Sequence, residues 1–404
     1  MKRHHHRLGP SQLGTERHLV SLHYGTRRRD ATRSEKAYLQ ASLHADELPG
    51  MLVMHHLIAL LDRAEAAGRI RGEVVLVPVA NPIGLSQQLL HGGIGRFEAG
   101  SGENFNRGYP DFLAGITPDI ETQLDHVEAD NRDAVVDVIR AALRVHVDAI
   151  EPATELASMK KTLSSLACDA DVVLDLHCDH DALLHLYCEE PYWPQCEPLA
   201  QLLGVETVLL AKNSGGASFD EAMGGVWWQL DEYLRAERSA KPGSESIRGA
   251  LRGASASARA IPLACLAVTV ELRGQMDVSH ELALRDAQAL FAFLVHRGIV
   301  AADARHPPSL PALRCEPTPL AASEDLIAPH AGVIAFVKAL GDRIEAGDVV
   351  AEVIDPLAGV VTPIRASYAG TLYARALRRY ASPGMTVARV AGKTPFRSGN
   401  LLSP

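Results

Sequence analysis

The stretch Leu39–Leu57, LQASLHADELPGMLVMHHL, runs apolar, stops at a polar knot, then turns apolar again with a longer period. The apolar opening reads as the end of a buried strand. Leu52, Leu57, Ile58 and Leu61 recur at helical spacing until Gly68, so a helix follows. Between them sit His44, Asp46 and Glu47. A strand that hands over to a helix through such a knot is the unit of an α/β sheet, in which ligands collect beyond the carboxyl ends of the strands.

The pattern repeats outward from this point. RHLVSLHYG (Arg17–Gly25) and EKAYLQASLH (Glu35–His44) read as strands. GEVVLVPVANP (Gly72–Pro82), CDADVVLDLHCDHD (Cys168–Asp181) and LACLAVTVELRG (Leu263–Gly274) are short, almost wholly apolar runs. Such runs suit strands buried on both faces of a parallel sheet. Helical stretches lie between them, including residues 131–167. The expectation is a mixed, mostly parallel sheet covered by helices on both faces. A proline-rich passage, Arg305–Asp325, then separates a large α/β domain, residues 1–310, from a C-terminal module, residues 326–404. That module carries a quasi-repeat: Gly332 precedes Gly347 by 15 residues, and Gly370 precedes Gly384 by 14. Valine-rich segments with regular glycine turns predict a small all-β module.

Composition sets the class. The chain has 404 residues, 47% hydrophobic and 22% charged, with a net charge of -9. That excludes a basic surface for nucleic acid and fits a soluble globular protein. The start, MKRHHHRLGP, lacks the apolar run of a signal peptide and reads as a tail outside the fold. No segment approaches a membrane span, and six cysteines without C-x-x-C spacing predict reduced thiols in a cytoplasmic protein.

A histidine and a glutamate three apart can reach one cation when the backbone turns between them, and imidazole with carboxylate suits Zn²⁺. The same cluster can equally cap the helix that begins near Pro49. Position favours the first reading. His44, His177 and Glu271 each end a different strand, and Asp175, two residues before His177, shares its strand face and can orient its imidazole.

Taken with the Asn81-Pro82-x-Gly84 turn, the Asn106-Arg107 pair and the Asp175-Leu176-His177 strand end, these motifs give a resemblance. The chain resembles the succinylglutamate desuccinylase/aspartoacylase family, amidohydrolases related to zinc carboxypeptidases. The resemblance implies a zinc carboxypeptidase-like catalytic fold and one Zn²⁺ per subunit, held by His44, Glu47 and His177. It also implies Glu271 as general base and Asn106 and Arg107 as substrate-binding residues. Arg96 is the candidate for stabilising the oxyanion, although the intervening FEAGSGE is longer than the family spacing. The C-terminal module resembles the β-barrel these amidohydrolases carry, and also the biotinyl/lipoyl barrel-sandwich fold. Asn104-Phe105 stands where the family has Asp-Leu. Arg273, two residues after Glu271, either faces the site and binds an anionic group or is a solvated charge. NSGGASFDEAMGGVWW (Asn213–Trp228) is either a lid or a packed surface loop. His55, His56, His180 and His185 read as structural or solvent-facing.

The expected activity is hydrolysis of a small N-acyl amino acid or related amide, in a protein free to form a homo-oligomer. A metallocarboxypeptidase would use the same chemistry on peptides. A carrier protein on the same scaffold would need a lysine at the hairpin, and residues 339–392 contain none.

Overall fold

A computed structural model describes residues 1–27, 34–128, 130–240, 260–303 and 309–402. The chain opens on β1 (Lys2–Leu8), β2 (Arg17–Gly25) and β3 (Lys36–Ala41), followed by α1 (Pro49–Ala66), β4 (Glu73–Val77) and the short α2 (Pro82–Leu85). A hairpin of β5 (Gln88–Leu89) and β6 (Gly92–Gly93) precedes α3 (Phe112–Leu124), α4 (Arg132–Ala149) and α5 (Glu155–Ala167). Then come β7 (Val172–Asp179), β8 (Asp181–Ala182), β9 (His185–Glu189), α6 (Trp193–Leu203), β10 (Thr207–Ala211) and α7 (Phe219–Ala240). The first part ends with β11 (Leu266–Gly274), α8 (His280–His296) and β12 (Pro317–Pro319).

Nine of these strands form one sheet in the order β1-β2-β4-β3-β7-β11-β9-β10-β12. The central pairs β4–β3, β3–β7 and β7–β11 are parallel, as are β9–β10 and β10–β12. The β11–β9 pair and the two pairs at the β1 end are antiparallel. One face is buried under α1, α6 and α8, the other under α3, α4, α5 and α7. The mixed, mostly parallel sheet with helices on both faces is therefore present. Every residue of β3 is buried, as are seven of the eight in β7. That is why these strands read as continuous apolar runs rather than alternating ones.

The N-terminal segment departs from expectation. Instead of a tail, Lys2–Leu8 is an edge strand, paired residue for residue with β2. Its histidines and arginines lie on the solvated rim, while Leu8 is fully buried against the core. Charged side chains on an edge strand also discourage pairing with other chains.

The C-terminal part is all-β, as expected, but its strands do not close. β13 (Ser323–Ile327), β20 (Thr386–Ala391), β18 (Gly370–Arg375) and β15 (Arg343–Ile344) form one antiparallel sheet, which β8 joins through β18. β17 (Val360–Arg365), β16 (Val349–Asp355), β14 (Gly332–Phe336) and β19 (Tyr380–Ala381) form another. Two open sheets enclose one small core in place of a barrel. The quasi-repeat is visible in the glycines. A Cβ on Gly332 would come within 2.5 Å of the Ile354 carbonyl oxygen, and one on Gly370 within 2.3 Å of that of Ala391.

The first residues of the proline-rich passage, 305–308, lie outside the described residues. Its later part, β12, extends the main sheet. Among the described residues no helix is long and apolar enough to cross a membrane.

Candidate metal centre and cleft

The polar knot takes shape where β3 ends. Ser42 adopts a left-handed φ of 63°, and the chain turns so that His44 and Glu47 face inward. Asn81 anchors this turn: its Nδ2 donates to the Leu43 carbonyl at 2.8 Å, and its Oδ1 accepts from Gly84 N at 2.7 Å. A Cβ on Gly84 would meet Asn81 Nδ2 at 2.6 Å, so the Asn-Pro-x-Gly motif needs glycine there. Neither Asp46 nor Glu47 caps α1. Its N-cap is Leu48, without a side-chain hydrogen bond, and Pro49 starts the helix. Glu47 is engaged elsewhere, which removes the capping explanation.

His44, Glu47 and His177 converge. Glu47 Oε1 lies 2.9 Å from His44 Nδ1, and Glu47 Oε2 lies 2.7 Å from His177 Nδ1. The Cys178 amide also donates to Oε2, at 3.1 Å. One ligand atom from each of the three residues lies within 4.8 Å of the others, and all three residues are buried. The far side of each imidazole is occupied as well. His44 Nε2 meets Asn104 Oδ1 at 2.9 Å. His177 Nε2 lies 3.0 Å from Asp175 Oδ2, off the line of a well-formed hydrogen bond, and neither Asp175 oxygen has another partner. Asn106 Nδ2 approaches the same ring nitrogen less closely, at 3.4 Å. Both rings turn Nδ1 toward Glu47, with Asn104 and Asp175 on their far sides, so that one nitrogen of each and a carboxylate oxygen face a common point. Two imidazole nitrogens and a carboxylate oxygen fit Zn²⁺. The residues present therefore fit the implied ion.

Burial would raise the Glu47 carboxyl, but the two histidines hold it well below its ordinary value. Burial pushes His44 down. For His177, Asp175 and Glu47 outweigh burial and push it well up. Glu271 faces His177 across the β7–β11 pair. Its burial and the nearby Glu47 charge push it up to about 8, and its Oε2 has no hydrogen-bond partner.

Arg96 reaches this group despite its spacing. Residues 98–103 loop outward, closed by a 2.8 Å hydrogen bond from Glu98 N to Glu103 O. The chain returns at Phe105, whose amide donates to Arg96 O at 3.1 Å. Arg96 Nη1 then lies 3.3 Å from His44 Nδ1 and 3.5 Å from Glu47 Oε1. Asn106 and Arg107 line the same cleft, with Asn106 Oδ1 accepting from Phe219 N at 2.9 Å.

Arg273 does not line the cleft. The β7–β11 register shifts between Glu271 and Gly274, and Arg273 has a φ of 67°. The bulge cancels the two-residue alternation that would have put it beside Glu271. Its guanidinium pairs instead with Asp286 on α8.

The segment from Asn213 divides in two. Residues 214–218 are a loop fixed by Tyr109 N to Ala217 O at 3.1 Å and Leu401 N to Ser214 O at 2.8 Å, and α7 starts at Phe219. The loop is thus a packed wall. His185 is wholly buried between Tyr187 and Tyr373, and His180 stands exposed at the cleft rim.

The cleft, about 290 Å³, is completed by the C-terminal module through Met385, Thr386 and Arg389. Arg389 Nη1 holds Asp179, the last residue of β7, at 2.8 Å. Tyr368 and Tyr380 stay outside the cleft, whereas Tyr187 lines it. Asn104, Tyr187, Glu189, Asp220 and Arg389 escaped sequence reasoning. The only signal among them was the replacement of the family's Asp-Leu by Asn104-Phe105.

Residues 33–151 match the model of the succinylglutamate desuccinylase/aspartoacylase catalytic domain. No curated protein matches the chain. Among solved structures, a protein described as of the succinylglutamate desuccinylase/aspartoacylase family, from Shewanella amazonensis, is 26% identical with a TM-score of 0.78, covering 97% of this chain and 98% of its own. A second with that description, from Shewanella frigidimarina, shares the fold at 24% identity and a TM-score of 0.78, over 97% of both chains. The ectoine utilization protein EutE (DoeB) from Ruegeria pomeroyi shares it at 15% identity and a TM-score of 0.63, over 97% of this chain and 95% of its own. Over residues 33–151 the chain is thus similar to the catalytic domain of the succinylglutamate desuccinylase/aspartoacylase family, within a fold it shares with proteins so described.

Proposed function

We propose that the protein is a zinc-dependent amidohydrolase that removes the acyl group from a small N-acyl amino acid. The observation that carries this reading is the convergence of His44, Glu47 and His177, each imidazole supported from behind, next to the buried Glu271. When bound, one Zn²⁺ per subunit supplies a Lewis acid that makes water more acidic and polarises the acyl oxygen. Glu271 then accepts the water's proton and passes it to the leaving nitrogen. Burial and the Glu47 charge raise Glu271, which makes its carboxylate a stronger base for that proton. Arg96, beside Glu47 and His44, offers positive charge where the acyl oxygen becomes negative. Arg107 presents a planar fork to a substrate carboxylate, steadied by its own bond to Asn106 O at 2.8 Å.

Size selection follows from the walls. Met385, Thr386 and Arg389 close the cleft from the module side, which favours small amides over the extended chain that a carboxypeptidase would admit. Six unpaired cysteines suit a reducing, cytoplasmic setting. The test is a hydrolysis screen of the zinc-loaded protein against N-acetyl, N-succinyl and N-formyl amino acids, with short peptides alongside. Turnover of the amides supports the reading. Turnover of the peptides alone transfers the protein to the carboxypeptidases.

A further inference from the structure

The two imidazoles of the metal centre are backed by different groups. Asp175, wholly buried, lies 3.0 Å behind His177 Nε2. Behind His44 Nε2, at 2.9 Å, stands the side-chain oxygen of Asn104. A second contact fixes which way that amide points. Its Oδ1 also accepts from Asn106 N at 2.9 Å, and only the oxygen of an amide can accept. The same oxygen can only accept from His44. A ligating His44 therefore carries its proton on Nε2 and offers Nδ1.

The backbone of Asn104 is pinned as well. It bridges Phe97 across the outward loop of residues 98–103, and its carbonyl accepts from Arg107 N at 3.2 Å. One buried residue thus joins a metal ligand to both Asn106 and Arg107.

Charge separates the two supports. A carboxylate behind a ligating imidazole orients the ring and also raises its basicity. An amide orients the ring equally well but, being neutral, lends it much less electron density. It also adds no further negative charge to a group that already holds Glu47, Asp175 and Glu271. An aspartate at this position would sharpen the repulsion among those carboxylates in the metal-free protein, and a bound cation would relieve it. Both effects act in one direction.

We infer that Asn104 is a positioning residue that makes His44 the weaker of the two imidazole ligands, and so sets the affinity of the centre below what a carboxylate in its place would give. The inference rests on the metal-centre reading of His44, Glu47 and His177, and not on which bond is cleaved. A less electron-rich ligand leaves a bound ion more of its positive charge, at the expense of its retention.

The experiment measures the Zn²⁺ dissociation constant of the full chain by competition with a chromophoric chelator. Asn104→Asp should tighten Zn²⁺ roughly 10-fold or more, and Asn104→Ala should loosen it to a similar extent, the scale on which partners of ligating histidines act. Any other pattern overturns the proposal, including the loss in both variants that a packing residue would give. The visible spectrum of the Co²⁺ form should be the same in Asn104→Asp as in wild type. A changed spectrum means that the new carboxylate has altered the coordination itself, and that also overturns the proposal. If Asn104→Asp does not fold by circular dichroism, Asn104→Ala and Asp175→Ala decide. A larger loss of affinity at 175 supports the proposal; an equal or larger loss at 104 overturns it. A wild-type chain that binds no Zn²⁺ is a separate failure, because it removes the metal-centre reading and the proposal with it.

Discussion

Glu47 serves two histidines and a backbone amide at once, and its local spacing from His44 is what made the centre legible. His177 and Glu271 were legible for a different reason: each closes an apolar run, and strand ends of such sheets share one edge. Asn104 was not, because it reaches His44 across 60 residues of chain, and no period links them. The pairing of Arg273 with Asp286 was not legible either, because a bulge leaves no mark in residue type. The partners behind the imidazoles are testable. Asp175→Asn should weaken Zn²⁺ retention roughly 10- to 100-fold, the usual penalty for losing a carboxylate behind a ligating histidine, read by metal analysis during chelator titration. An unchanged affinity would leave Asp175 a packing residue. Glu271→Gln should retain Zn²⁺ yet lose about 100-fold or more in kcat, since an amide cannot accept the proton; near-wild-type turnover would move the base elsewhere.

Among the elements, β2, β3, β4 and α1 were readable from period and length, while β1 was not. Its KRHHHRL composition shows no apolar alternation because an edge strand exposes most of its side chains, and only Leu8 commits it to the core. Leu8→Ala should therefore cost about 2–5 kcal/mol, seen as a lower Tm; an indifferent Tm would return the segment to the status of a tail. At the opposite end of β3, Lys36 Nζ meets Asp169 Oδ1 at 2.5 Å, with Arg144 Nη2 2.6 Å from Oδ2. Burial raises the Asp169 carboxyl, but Lys36, Arg144 and Arg27 together bring it below its ordinary value. A depressed carboxyl contributes stability above its unfolded value, about 3.9, and loses that contribution as pH falls through the folded one. Asp169→Asn should thus lower Tm at pH 7, and the gap from wild type should close below about pH 4. A gap that persisted in acid would mean packing, not charge, is at stake.

For the whole molecule, the module is part of the cleft. Arg389 spans Asp179 and Asp325, and an apolar cluster including Leu209, Leu320 and Tyr373 joins the two parts. Arg389→Met would strand Asp179 and should destabilise the protein by about 3–5 kcal/mol, with faster proteolysis near residue 320. The glycine repeat announced an all-β module but not its two open sheets, because closure depends on pairings that residue type does not encode. The strand order has one more consequence, for synthesis. β7 and β9 are near neighbours in sequence, yet β11 lies between them in the sheet. When a ribosome has made the chain as far as α7, the sheet still has a vacant lane with two unsatisfied edges. Only emergence of Leu266–Gly274 fills it, and the same event delivers Glu271. Folding intermediates before that moment present open edges of the kind that aggregate, so production of this protein should be sensitive to translation speed and to chaperones that shield exposed strands.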